Sequence, residues 1–586
     1  MKRHSAKRAA ARHGKTVVRK PPAGRSAAPH SKAAARRKRG PGKTLLADAA
    51  IAKAAARAEA SMRAELRNKT LLADRMAEDA VAEAEEIGML LDEGEEESED
   101  DPETAEEDQY FLKAPAQGPP RPRIRPAPGI AGAGDPDTAP GEAAHLFPRN
   151  LKTEYPVAVS ARGLWIRDRG GKTYLDGCSG AVVCSIGHGV REVADVISKQ
   201  ARRLAFAHSS QFVTREAMEL SARIAALAPG DMKKTGRVYL VSGGSEAIET
   251  AIKMARQYHV ERGRPSKFKI ISRWQSYHGS TLGALAVTGN VARRELYTPL
   301  FAATPHIAPC FCYRCPYERT FPSCDIACVD DLERVIRQEG PDSVAAFIAE
   351  PVVGATLGAV PAVDGYWQRA RAICDKYDVV LIADEVMTGV GRTGRNFAVD
   401  HFKVVPDLIV AGKGLSAGYT PLGAVIARGS VAGAIQAGRG YFEHGFTYSA
   451  NPLSAAIGNA VLAYIEKHGL IARAARVGKT LGKRLQDLRR HKIVGDIRGM
   501  GMMWGVEIVK SRATRDPFPP AEKVSRRLYD ACLEEGLLIY PGSGTREGQD
   551  GDHFIIAPAF TITKAEIDDL LARLDRGLAQ TASSLR

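Results

Sequence analysis

Five short, mostly aliphatic runs fall between residues 237 and 410: Arg237–Val241, Lys269–Ser272, Val344–Ala349, Val379–Ala383 and Leu408–Val410. Each is too short for a typical helix, and several lack the apolar–polar alternation of a half-exposed strand, so they read as strands buried on both faces. Helical stretches stand between some of them, with Ser245–Val260 after the first and Gly365–Tyr377 before the fourth. Buried strands alternating with helices predict an α/β body: a mostly parallel sheet between helices. From Pro452 onward helices mix with short strands, as in a separate α+β lobe.

What precedes this body has a different composition. The chain of 586 residues carries a formal charge of +15, but its first acidic residue is Asp48, and acids crowd Asp92–Asp108. The basic excess therefore belongs largely to a tail. Residues 1–43 have almost no large apolar side chains and are expected to be disordered, with weak, salt-sensitive contact to nucleic acid or an anionic surface. Residues 44–91 form an Ala-rich candidate helix, and 92–144 an acidic and then Pro-rich linker. The folded body is expected to begin near His145. Nine cysteines in a chain this long do not make a secreted disulfide scaffold, and no apolar run is long enough to span a membrane. The N-terminus lacks the apolar centre of a secretory signal. A soluble cytoplasmic protein is the expectation.

Three motifs carry chemistry. Ser242-Gly243-Gly244-Ser245-Glu246-Ala247 joins a predicted strand to a predicted helix, where exposed N–H groups and the helix dipole favour an anion such as phosphate. By itself, such a turn is as often only a turn. The strand Val379–Ala383 runs into Asp384-Glu385, at the sheet edge where α/β folds hold ligands. A carboxylate there calls for a cationic partner: a protonated pyridine nitrogen, or simply an arginine. After the next strand, Gly412-Lys413-Gly414 offers an amine that desolvation would make nucleophilic toward an aldehyde.

With these motifs in this order, the region from about Leu146 to the C-terminus resembles the class III aminotransferases, a fold-type-I family with ornithine, acetylornithine, GABA and ω-amino-acid members. "DEVMTGVGRTG" and "AGKGLSAGYTPLGAV" carry the resemblance most specifically. It implies a large domain (211–455) and a smaller α+β domain from both ends of the body (145–210 and 456–586). It also implies pyridoxal 5′-phosphate, bound as an aldimine on Lys413 and passing through a pyridoxamine form. Asp384 would pair with the ring nitrogen, Val386 and Tyr277 would flank the ring with His278 beside them, Gly244 and Ser245 would hold the phosphate, and Glu350 would lie near the ring hydroxyl. Thr447 would reach the phosphate in the partner subunit, which implies a homodimer at least. The reaction would move an amino group from an amine or amino acid to an oxo acid. Racemases, aminomutases and dialkylglycine-type decarboxylases would use the same Lys413 and Asp384 and remain alternatives.

The substrate end departs from the family's better-known patterns. Ile555 stands where ornithine- and GABA-type relatives carry an arginine for a carboxylate, and Tyr540 where amine- and β-alanine-type relatives carry a mobile one. The segment around Val182 is small and apolar where those relatives often have tryptophan. Arg546, in a Gly-rich loop, is a candidate carboxylate ligand, with a solvated loop charge as the alternative. Cys310, Cys312, Cys315, Cys324 and Cys328 cluster in sequence; a structural role is the expectation and no metal is assigned, with zinc or a redox disulfide as alternatives.

Overall fold

The computed structural model describes residues 145–585. The expectations for residues 1–144 (basic tail, Ala-rich helix, linker and nucleic-acid contact) lie outside the described residues.

The centre of the body is a seven-stranded sheet. In chain order its strands are β1 (Arg237–Val241), β2 (Lys269–Arg273), β3 (His306–Ile307), β4 (Val344–Ala349), β5 (Val380–Asp384), β6 (Leu408–Ala411) and β7 (Gly423–Ala427). They lie in the order β1-β7-β6-β5-β4-β2-β3. Only β7 runs against its neighbours, β6 and β1; the other pairs are parallel. Two strands were not anticipated: β3, a two-residue edge, and β7, a buried apolar run that follows a Gly- and Pro-containing loop.

Side-chain alternation splits the strands between two cores. Val380 and Ile382 of β5 pack with Ile248 and Ala251 of helix α1 (Gly244–Glu261). Leu381 and Ala383 face the other way, toward Leu220, Trp367 and Val461 on helices of the opposite layer. With helices on both sides, every residue of β4, β5 and β6 is buried, which is why their sequences are almost uniformly apolar.

Both ends of the body contribute to the smaller part. Strands Ala158–Arg162, Trp165–Asp168 and Thr173–Asp176 form a sheet with the distant Leu537–Leu538. An antiparallel four-stranded sheet comprises Val494–Met500, Met503–Ile508, Asp550–Ile556 and Tyr540–Arg546. No helix among the described residues is long and apolar enough to cross a membrane.

Candidate active site

Register brings the chemistry together. Ala383 of β5 stands opposite Ala349 of β4, and Asp384 opposite Val410 of β6. The carboxyl ends of three parallel strands therefore present Glu350, Asp384 and Gly412-Lys413 side by side. This is the sheet edge where such folds bind ligands.

Lys413 opens a short 3-10 turn with φ +41°, a left-handed conformation unusual for a non-glycine residue. Val182, Ser179 and Gln275 share that sign of φ, at +63°, +51° and +51°. Desolvation brings the Lys413 amine down to a pKa of about 8, against the opposing pull of Asp384 and Glu350; Arg392 and Arg293 lower it further.

Asp384 is 4% exposed. Its Oδ1 accepts from the Val386 N–H at 3.0 Å, and its Oδ2 lies 2.7 Å from His278 Nδ1. His278 is buried too, with Nε2 3.3 Å from Ser272 Oγ. Glu350 is buried and accepts from the Tyr277 N–H at 3.0 Å and the Gly354 N–H at 2.9 Å. Burial pushes its pKa up, partly offset by His278 and those two N–H groups.

The amino end of α1 closes the cleft. A Cβ on Gly244 would stand 3.0 Å from Val386 Cγ1, and one on Gly412 would stand 3.4 Å from the same atom. Gly244 thus packs tightly on Val386, and Gly412 lies in ordinary contact distance of the same side chain. Ser245 Oγ accepts from the Ser280 N–H at 3.1 Å. Gly279, at φ +148°, leaves no room for a Cβ, which would lie 2.6 Å from Ser245 Oγ. A helix amino terminus, a buried carboxylate and an aldehyde-reactive amine in one cleft fit an aromatic cofactor that bears a phosphate, a basic ring nitrogen and an aldehyde.

The two acids ending β5 separate. Glu385 turns away from Asp384 into structure, accepting from the Val399 N–H at 2.8 Å and from the Thr388 hydroxyl, with its pKa raised by burial to about 7.

The remaining sequence candidates fall on other parts of the chain. Thr447 is exposed, in a segment with exposed Tyr441 and Tyr448. Val182 and Tyr540 join one apolar cluster with Met387 and the fully buried Ile555. Arg546 Nε donates to Asp550 Oδ1 at 2.8 Å across its own hairpin, and its side chain stays 47% exposed. Among the described residues no group of three or more His, Cys, Asp or Glu side chains is arranged to hold a metal ion.

Sequence reasoning missed two cations. Arg392 is buried; its Nη1 donates to the carbonyls of Met502, Ala557 and Pro558, and burial lowers its pKa to about 9. Its place in "DEVMTGVGRTG" was a signal available to find it. Arg293 stacks on Tyr277, its guanidinium carbon 4.3 Å from the ring centroid. Nothing in the local spacing marks it.

Comparison with known proteins agrees with this geometry. A family model described as Aminotransferase class-III matches residues 148–578. An uncharacterized aminotransferase of Bacillus subtilis is 40% identical over 443 residues, covering 75% of this chain and 99% of its own. The crystal structure of a thermostable (S)-enantioselective ω-transaminase from Thermomicrobium roseum is 36% identical, with a TM-score of 0.69, covering 75% of this chain and 96% of its own. An amine transaminase from an uncultivated Pseudomonas species, solved in its PLP-bound form, is 33% identical, with a TM-score of 0.69, covering 74% of this chain and 98% of its own.

Proposed function

This chain belongs to the class III aminotransferases, and on that premise we infer how its own residues divide the work of transamination. The protein is a pyridoxal-phosphate-dependent transaminase acting on amines or amino acids. The observation that carries the assignment of roles is the convergence of Lys413, Asp384, Glu350 and Gly244 at one sheet edge.

Pyridoxal phosphate supplies an aldehyde that captures amines and a ring that takes up an electron pair. Lys413 would hold it covalently and, with its amine freed by a donor, would take up a proton at one carbon and return it at another. A pKa of about 8 suits that task, because a fraction of the amine is neutral at physiological pH. Asp384 would hold a proton on the ring nitrogen, with His278 fixing the carboxylate. Val386 and Tyr277 would flank the ring, and Gly244 and Ser245 at the amino end of α1 would bind the phosphate. Glu350, anchored by two backbone N–H groups, would serve the ring hydroxyl.

The active form is a homodimer in which Thr447 serves the partner's phosphate. Exposed Phe206, Phe212, Leu296, Leu300 and Tyr448 support this, since apolar side chains of that size are usually covered in an assembly. The division at 210/211 and 455/456 separates the large domain from the smaller one. The nine free thiols support a reducing compartment such as the cytoplasm.

Borohydride reduction followed by peptide mapping tests the assignment: the cofactor should be fixed on Lys413, and labelling of another lysine would sink it. A screen of donors and oxo acids, read by cofactor absorbance, then identifies the substrate pair.

A further inference from the structure

An oxo-acid acceptor brings a carboxylate into a cleft shielded from water, and a carboxylate there needs a cation. At the two positions where the family resemblance implies such a cation, this chain has Ile555 and Tyr540. Ile555 is sealed in an apolar cluster with Val182 and Met387, and Tyr540 packs against it. Arg546 is engaged by Asp550.

We infer that Arg293 is the carboxylate-binding residue of this enzyme, an anion subsite built beside Tyr277 for the oxo acid; the inference rests on the transaminase reading above.

Arg293 and Arg392 are the cations whose charge bears on the Lys413 amine and lowers its pKa. Arg392 is held by its Nη1, which donates to three backbone carbonyls, and its Nη2, without a partner among the described residues, is sealed with the rest of a residue only 2% exposed. Among the described residues no carboxylate pairs with Arg293, which is half-buried. Its neighbour Arg294 contrasts with it: that guanidinium donates to the Thr288 carbonyl at 2.5 Å and to the Ala286 carbonyl, and it serves the loop.

Arg293 is also held in position. Its N–H donates to Asn290 Oδ1 at 3.0 Å, opening the short turn Val291–Arg294. The hairpin tip at Gly548 packs on Val291, where an added Cβ would come within 2.5 Å of Val291 Cγ2. The Gln275 amide oxygen, oriented to satisfy its neighbours, accepts from the Glu547 and Gly548 N–H groups at 3.0 and 3.1 Å. A guanidinium lying on an aromatic face keeps its edge donors free, and that edge matches a carboxylate with two parallel hydrogen bonds.

The test uses the full chain reconstituted with pyridoxamine phosphate, so that no amino donor has to be known. Pyruvate, 2-oxoglutarate and uncharged propanal are each supplied as acceptor, and the single half-reaction is followed by absorbance. In Arg293→Gln the second-order constants for the oxo acids should fall about ten- to a hundredfold, the scale of one lost charged hydrogen-bond pair. The constant for propanal should fall much less, by only what the lost charge does to the Lys413 amine. Arg293→Lys keeps the charge without the fork and should fall less, and it carries the comparison if the glutamine variant does not load cofactor. Propionate titrated calorimetrically into the pyridoxal-phosphate-loaded protein should bind wild type and weaken by a similar factor in the variants, whatever the turnover. An equal fall for propanal and the oxo acids, or an unchanged propionate affinity, overturns the inference. Wild type that passes its amino group to no carbonyl would overturn the transaminase reading instead, while propionate binding would still decide the role of Arg293.

Discussion

His278 Nδ1 lies 2.7 Å from Asp384 Oδ2, with both side chains buried, and the other Asp384 oxygen accepts from the Val386 N–H. The carboxylate is therefore locked in one orientation by two elements. Asp384→Asn removes the charge that keeps a ring nitrogen protonated. The proton-transfer step, measured in single turnovers, should slow by at least about 10²- to 10³-fold, the scale of a lost preorganised electrostatic contact. His278→Ala should slow the same step less, and pyridoxal phosphate should still be captured in both variants. A proton-transfer rate insensitive to Asp384→Asn would remove Asp384 from the mechanism.

Lys413 should titrate near its lowered value. Only the neutral amine attacks an aldehyde, so apoenzyme should capture pyridoxal phosphate faster as pH rises, with a midpoint near 8 instead of the ordinary lysine value of 10.5. Stopped-flow absorbance against pH measures this. Lys413→Ala should abolish covalent capture while leaving the free energy of unfolding within about 1 kcal/mol of wild type, since truncation removes a buried amine as well as its contacts.

Glu385 makes a stability prediction with a definite sign. Its folded pKa of about 7 lies above the ordinary 4.5, so between those values the folded state holds a proton that the unfolded state has released. Its contribution to stability is fully present below pH 4.5 and is lost as pH rises through 7. Urea midpoints at pH 5 and pH 8 should therefore differ more in wild type than in Glu385→Gln. Equal pH dependence in the two proteins would show that Glu385 ionises normally.

Thr447→Ala should weaken cofactor binding by roughly 1–3 kcal/mol, as for a lost hydrogen bond to a charged group. The loaded enzyme's chemistry should be spared. In mixed dimers of a Lys413→Ala chain with a second chain, the site with an intact lysine should lose affinity when the threonine change is on the other chain. Affinity that follows the threonine of the same chain would contradict the shared site.

The motifs were legible in the sequence because their requirements are local. A Gly-rich turn before a helix, an acid ending an apolar strand and a lysine between two glycines are each fixed by a few adjacent residues. So were β1 and β4, whose ends agree with the structure: β4 is buried throughout and reads as an unbroken apolar run, and β1 is apolar after the exposed Arg237. β7, as buried and apolar as β4, was not read as a strand, and its antiparallel place between β6 and the distant β1 is set only in the folded sheet. Tertiary structure also decided which of two adjacent acids serves the site: strand alternation turns Asp384 to the α1 side, and the loop at Thr388 and Val399 captures Glu385. Likewise it tied Arg546 to Asp550 and laid Arg293 on Tyr277. A charged side chain's role is set by the nearest opposite charge or aromatic face in space, and adjacency in the chain does not fix that distance.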